Sequence, residues 1–224
     1  MNTSPSPQFP GLEVILKQRL ICVAVIDKPD HAVALAQALL AGGMNVIEVT
    51  FRTSGAAEAI SRIRQALPDA CVGAGTVLTA HQAAQAADAG AQFLVAPGLD
   101  EMVLQASQER QLPYIPGVVT PTEVVRALQL QCRLLKFFPA EASGGVPMLK
   151  ALAGPFAHTG AQFVPTGGIT AATLPSYLAL PQVAAVGGSW MAERDLVAQG
   201  AWAKITALAA EAMKIAAAAS VKAK

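Results

Sequence analysis

A chain of 224 residues has room for one large domain or two small ones, and with 53% apolar and 14% charged residues it can build a substantial core. A formal net charge of +1 gives no electrostatic case for nucleic acid or an anionic membrane as a partner, though a local phosphate site needs no global charge. Cys22, Cys71 and Cys132 lie far apart, form no CxxC pair and suggest no disulfide framework, so a reducing cytoplasm is the expected compartment.

Residues 1–10 lack a positive charge and an apolar core, so they read as a flexible N-terminus rather than a signal peptide. Residues 11–20 read as a short helix suited to plug one end of a barrel. Beyond it, short apolar runs predict strands at 21–26, 46–51, 71–77, 93–97, 114–119, 134–138, 162–166 and 183–186. Amphipathic runs between them predict helices at 31–41, 56–67, 81–89, 101–112, 122–130, 147–151 and 171–178, with a final long helix over 196–217. Strand starts recur about every 20 to 28 residues, the length of one βα unit. The strands are too apolar for burial on one face only, which points to a parallel sheet covered by helices. Eight units favour a closed (β/α)8 TIM barrel with a short N-terminal helix, spanning residues 11–219 as one domain, with 220–224 a frayed tail. No GxGxxG follows the first strand, so the dinucleotide-binding open sheet lacks its sequence support. No apolar stretch approaches the roughly 20 residues of a membrane span.

In such a barrel, chemistry gathers at the C-terminal ends of the strands. Strand two reads Val46-Ile47-Glu48-Val49-Thr50-Phe51-Arg52. Alternation sets Val46, Glu48, Thr50 and Arg52 against Ile47, Val49 and Phe51, and the apolar set should pack under the helices. Glu48 and Arg52 are therefore expected to point inward. Strand six reads Leu134-Leu135-Lys136-Phe137-Phe138-Pro139, which surrounds a mid-strand lysine with large apolar groups. Lysine is rarely buried without a partner. Both charged residues stand third in even-numbered strands, so their side chains are expected to meet in one interior layer. A buried ion pair that merely fixes the core is the plainer alternative. Buried pairs stabilise poorly compared with apolar packing, however, and an apolar wall that includes Phe138 favours the neutral, nucleophilic amine.

Two glycine pairs, Gly167-Gly168 and Gly187-Gly188, end strands seven and eight, where exposed backbone N–H groups commonly hold phosphate. Gly73-Ala74-Gly75-Thr76-Val77 ends strand three and puts the Thr76 hydroxyl near the same rim. His31, His81 and His158 fall at helix ends without ligand spacing, so no metal site is expected. Residues 97–101 read as a turn into a capped helix.

With these residues assembled, the chain resembles the 2-keto-3-deoxy-6-phosphogluconate (KDPG) and 4-hydroxy-2-oxoglutarate aldolases from about Val23 to Met191. The resemblance rests on Ile47-Glu48-Val49-Thr50-Phe51-Arg52-Thr53, Val72-Gly73-Ala74-Gly75-Thr76-Val77 and Ala96-Pro97-Gly98-Leu99. It continues through Ile115-Pro116-Gly117-Val118, Lys136-Phe137-Phe138-Pro139-Ala140-Glu141, Pro165-Thr166-Gly167-Gly168-Ile169 and Gly187-Gly188-Ser189-Trp190. The resemblance implies a class I aldolase, a homotrimer without metal or other cofactor. In it, Lys136 is the Schiff-base lysine and Glu48 the general acid/base. Arg52 and Thr76 take the carboxylate and ketone end of the substrate. Thr166, Gly167, Gly168, Gly187, Gly188 and Ser189 take its hydroxyls and phosphate. Val119 departs from the small hydroxyl residue expected before Thr120. Rival readings are a phosphate-binding isomerase that uses Glu48 without a Schiff base, and a sugar-phosphate sensor without catalysis.

Overall fold

The structure, a computed structural model, describes residues 10–222. Helix α1 (Pro10–Gln18) leads into β1 (Leu20–Ala24), α2 (Ala32–Ala41), β2 (Val46–Thr50), α3 (Ala56–Ala66) and β3 (Cys71–Gly75). The chain continues through α4 (Ala80–Asp88), β4 (Leu94–Val95), α5 (Glu101–Glu109), β5 (Tyr114–Ile115), β6 (Gly117–Val118) and α6 (Pro121–Gln129). It ends with β7 (Leu134–Phe137), α7 (Gly145–Ala153), β8 (Gln162–Pro165), α8 (Leu174–Leu178), β9 (Val186–Gly188), α9 (Arg194–Ala198) and α10 (Trp202–Lys222). Every strand pairing is parallel, as helical crossovers require. A six-stranded sheet has the order β5-β4-β3-β2-β1-β9, and a three-stranded sheet the order β6-β7-β8. Two isolated parallel bridges, Phe163 to Val183 and Thr166 to Gly187, tie β8 to the β9 segment.

Alternation along the strands divides the core in two. Ile47 and Val49 face the helices and join the larger cluster. Ile21, Val46, Cys71, Phe93, Val95, Ile115, Val164 and Ala185 face the other way and form a second cluster, against which Leu134 packs. Helix α1 covers this inner cluster: Ile15 belongs to it, and Leu12 and Val14 pack on it. The helix stops at Arg19, whose backbone is left-handed (φ 59°) and whose guanidinium donates to the carbonyls of Leu178 (2.9 Å) and Val183 (3.1 Å). The N-terminal helix thus closes the end of the sheet away from the C-terminal ends of the strands, as the sequence suggests.

Three expectations need correction. The fifth strand is not continuous, because Pro116 has no N–H for the ladder and divides it into β5 and β6, one in each sheet. The eighth strand does not stop at Val186. Gly187 and Gly188 continue it in register with Ile21 and Cys22 of β1. The final helix is broken, since Gly200 takes a left-handed φ of 66° and the Ala201 amide returns to the Leu196 carbonyl, ending α9 before α10 begins. At the ends, α1 begins at Pro10 and the backbone of α10 stays helical to Lys222. Residues 1–9 and 223–224 of the proposed termini lie outside the described residues. Among the described residues, no helix is long and apolar enough to cross a membrane.

Because Ile15 is fully buried where α1 meets the inner cluster, Ile15→Ala should cost about 2–5 kcal/mol in a urea titration. A cost under about 1 kcal/mol would make α1 a peripheral decoration.

Candidate active site

The two charged residues singled out by alternation meet. Lys136 is third in β7 and Glu48 third in β2, and Lys136 Nζ lies 3.4 Å from Glu48 Oε1. Their side chains are only 6% and 2% exposed, so the contact is almost wholly withdrawn from water. A charged N–H···O bond usually measures about 2.7–2.9 Å, so this pair is adjacent without being locked. The backbone fixes both positions: Lys136 is paired between Gly117 and Val164, and Glu48 between Val23 and Gly73. The Phe138 ring, half-buried, supplies the expected wall, with its centroid 5.2 Å from Lys136 Nζ.

Glu48 pairs with Gly73, yet its carboxylate leans two residues further along β3. A Cβ built on Gly75 would lie 2.0 Å from Glu48 Oε1. Only glycine leaves that space, so Gly75 determines where the carboxylate can sit. The lean carries the acid toward the C-terminal ends of the strands. Thr50, also on the inward face, donates to the Ala24 carbonyl at 3.2 Å and is thereby satisfied.

Directly after Gly75, Thr76 takes a left-handed backbone with φ 55°. A β-branched residue is strained there by about 1–2 kcal/mol, and such strain concentrates at sites of function. The Val77 amide, bonded to the Val95 carbonyl at 3.1 Å, holds the turn in place. Arg52 differs from the expectation. The ladder of β2 ends as the Phe51 amide reaches the Gly75 carbonyl, so alternation does not extend to Arg52, which is exposed in the following turn. It stands at the rim beyond Glu48 rather than inside the strand layer.

Around the rim, Thr166 is 6% exposed at the end of β8, followed by Gly167 (φ 106°) and Gly168 (φ 78°). Gly168 is exposed, and Gly167 sits against the Phe138 ring. Gly187 and Gly188 are buried, and Ser189 is exposed. Packing alone already explains the second glycine pair: a Cβ on Gly187 would lie 2.3 Å from Thr166 Oγ1, and one on Gly188 1.8 Å from the Trp190 ring. Sequence reasoning did not anticipate this use of Trp190, nor the bond from the Tyr177 hydroxyl to Glu141 Oε1 at 2.5 Å. Val119, the departure from the family pattern, donates its amide to Glu123 Oε2 at 2.7 Å, within the capping box of α6.

The other titratable groups stay out of this centre. Burial, and then the Glu48 charge, pushes the Cys22 thiol up to about 12; burial pushes Cys71 and Cys132 up to about 11. None offers a thiolate at neutral pH. His31 Nδ1 lies 2.9 Å from the Val197 carbonyl and its ring meets Trp202 edge-on, which ties α9 and the start of α10 to the turn before α2. A surface cleft of about 510 Å³ opens at the opposite ends of the strands, lined by Leu16, Arg19, Gln162 and Leu180, and it carries no acid–amine pair.

A buried amine beside a carboxylate, against an aromatic wall and under a rim with cationic and hydroxyl groups, suits carbonyl capture by an amine. The comparisons with known proteins agree with that chemistry. The model of the family described as "Aldolase: KDPG and KHG aldolase" matches residues 12–208. The 2-dehydro-3-deoxy-phosphogluconate aldolase of Dickeya dadantii is 47% identical over 201 residues, covering 90% of this chain and 93% of that protein. A Legionella pneumophila KDPG aldolase structure, with pyruvate captured at low pH as a covalent carbinolamine intermediate, superposes with a TM-score of 0.84 at 41% identity. That match covers 89% of this chain and 96% of the other. A Zymomonas mobilis 2-keto-3-deoxy-6-phosphogluconate aldolase with 3-phosphoglycerate gives a TM-score of 0.82 at 42% identity, covering 92% and 96%. From the family match over most of its length, together with these identities, the chain belongs to the KDPG and KHG aldolase family.

Proposed function

We propose that this protein is a class I aldolase that cleaves 2-keto-3-deoxy-6-phosphogluconate to pyruvate and glyceraldehyde 3-phosphate. The observation that carries the reading is the buried Lys136–Glu48 contact at 3.4 Å beside Phe138. Counted with β5 and β6 as one strand, the two sheets and their bridges support a closed eight-stranded barrel around this pair.

Each residue then has a task. Neutral Lys136 attacks the C2 ketone, and the carbinolamine loses water to give an iminium. Glu48, directly or through a water, removes the C4 hydroxyl proton, and the C3–C4 bond breaks with its electron pair passing to the iminium. The aldehyde leaves, the resulting enamine takes a proton at C3, and hydrolysis returns pyruvate and the free lysine. Arg52 and Thr76 hold the carboxylate and ketone end. Thr166, Gly167, Gly168, Gly187, Gly188 and Ser189 form the wall for the hydroxyls and phosphate. Cleavage of unphosphorylated 4-hydroxy-2-oxoglutarate is a second activity of the same centre, supported by the family's twofold description. The galactonate epimer of the phosphorylated acid is the nearest competing substrate. The expected assembly is a homotrimer in the cytoplasm.

The direct test is a coupled assay of pyruvate release from a panel of 2-keto-3-deoxy acids. The phosphorylated gluconate-derived acid should be the best substrate, Lys136→Arg should release no pyruvate, and Glu48→Gln should slow release about 10²–10⁴-fold. Normal turnover by Lys136→Arg would overturn the assignment.

A stability measurement separates a reactive pair from a merely structural one. Glu48→Leu alone should cost about 3–5 kcal/mol by leaving the buried amine without its partner, whereas Glu48→Leu with Lys136→Met should restore or exceed the parent's urea midpoint. A double variant as unstable as the single one would show the pair to be a net stabiliser.

A further inference from the structure

Glu141 lies just beyond the lysine strand, and the mechanism leaves it unused. Two consecutive backbone bonds join its turn to the end of β8: the Ala140 amide donates to the Thr166 carbonyl at 2.8 Å and the Glu141 amide to the Gly167 carbonyl at 3.0 Å. The Gly167–Gly168 turn is thus suspended from residues 140 and 141. Gly168 also rides on Glu141, since a Cβ built there would lie 2.8 Å from Glu141 Cβ. Gly167 is bounded on its other side by Phe138. The turn is held between the lysine's aromatic wall and the Glu141 stem.

The Glu141 side chain itself is exposed, and exposed carboxylates are normally free to rotate. Here one oxygen is fixed. Tyr177 of α8 is fully buried and its hydroxyl donates to Glu141 Oε1 at 2.5 Å. Burial first, then the hydrogen bond and charge of Glu141, hold the Tyr177 phenol above its ordinary range, so it remains a donor at neutral pH. A buried phenol on α8 therefore anchors the backbone that carries the glycine turn. The same bond fixes the Glu141 carboxylate against α8.

We propose that Tyr177 and Glu141 form a positioning pair that sets the Gly167–Gly168 turn and thereby determines the preference for phosphorylated over unphosphorylated keto acids. The inference rests on the reading of this turn as part of the phosphate wall. Neither residue touches the reacting carbons, so the effect falls on substrate binding and appears in KM.

Tyr177→Phe removes one hydroxyl and keeps the ring. The efficiency on 2-keto-3-deoxy-6-phosphogluconate should fall about tenfold, mainly through KM, the scale of a lost hydrogen bond to a charged group. Efficiency on 4-hydroxy-2-oxoglutarate should change less than about twofold on the same scale. Glu141→Ala should match it. Glu141→Gln keeps an acceptor and removes the charge, so its preference for the phosphorylated acid should equal or exceed the parent's. Should Tyr177→Phe fold poorly, the Glu141 variants decide the question. A ratio of the two efficiencies unmoved by Tyr177→Phe and Glu141→Ala, or a parallel loss on both substrates, overturns the proposal. A parent enzyme inactive on every phosphorylated acid would instead overturn the proposed function.

Discussion

The structure is organised around one constraint: the amine of Lys136 and the carboxylate of Glu48 sit side by side in an interior whose other buried polar side chains, Thr50, Ser107 and Thr166, carry no charge. Removing either charge from water costs several kcal/mol, and a contact of 3.4 Å returns only part of that cost. Apolar residues of similar size would stabilise the core at least as well. The pair is therefore explained by what an amine and an acid can do together in a dry site. Keeping them 3.4 Å apart leaves both groups able to turn toward a substrate.

Much of the surrounding architecture follows from that constraint. Parallel strands let Lys136 and Glu48 project from opposite parts of the sheet system into one layer, while Val46 and Leu134, two residues earlier, fill the layer beneath them. Gly75 opens space for the carboxylate, and Thr76 absorbs the strained turn that follows. The two ends of the strands divide the work. At one end α1 and Arg19 seal the interior with apolar packing and carbonyl contacts. At the other, Arg52, Gly168 and Ser189 remain exposed around the buried pair. A stable floor allows a polar, partly strained rim.

How far the sequence reveals this depends on the range of the signal. Period-two alternation within a strand is local, and it correctly brings Glu48 and Lys136 together and sends Ile47 and Val49 to the helices. It does not reach Arg52, because alternation holds only while the ladder lasts, and the ladder of β2 ends at the Phe51 amide. Glycine is ambiguous for a related reason. Gly187-Gly188 reads as a strand end able to hold phosphate, yet the pair continues β9, and Thr166 and Trp190 already occupy the space its side chains would need. The Tyr177–Glu141 bond spans 36 residues and two elements, so no local pattern announces it. Proline gives a clear warning in retrospect, since Pro116 within a strand pattern signals an interrupted ladder.

The proposed mechanism requires that Lys136, and no other lysine, captures the ketone. Incubating the protein with pyruvate and borohydride, followed by peptide mapping, tests it directly. Activity should be lost together with the appearance of a reduced three-carbon adduct on the peptide that carries Lys136. An adduct on a different lysine, or inactivation without any adduct, would contradict it.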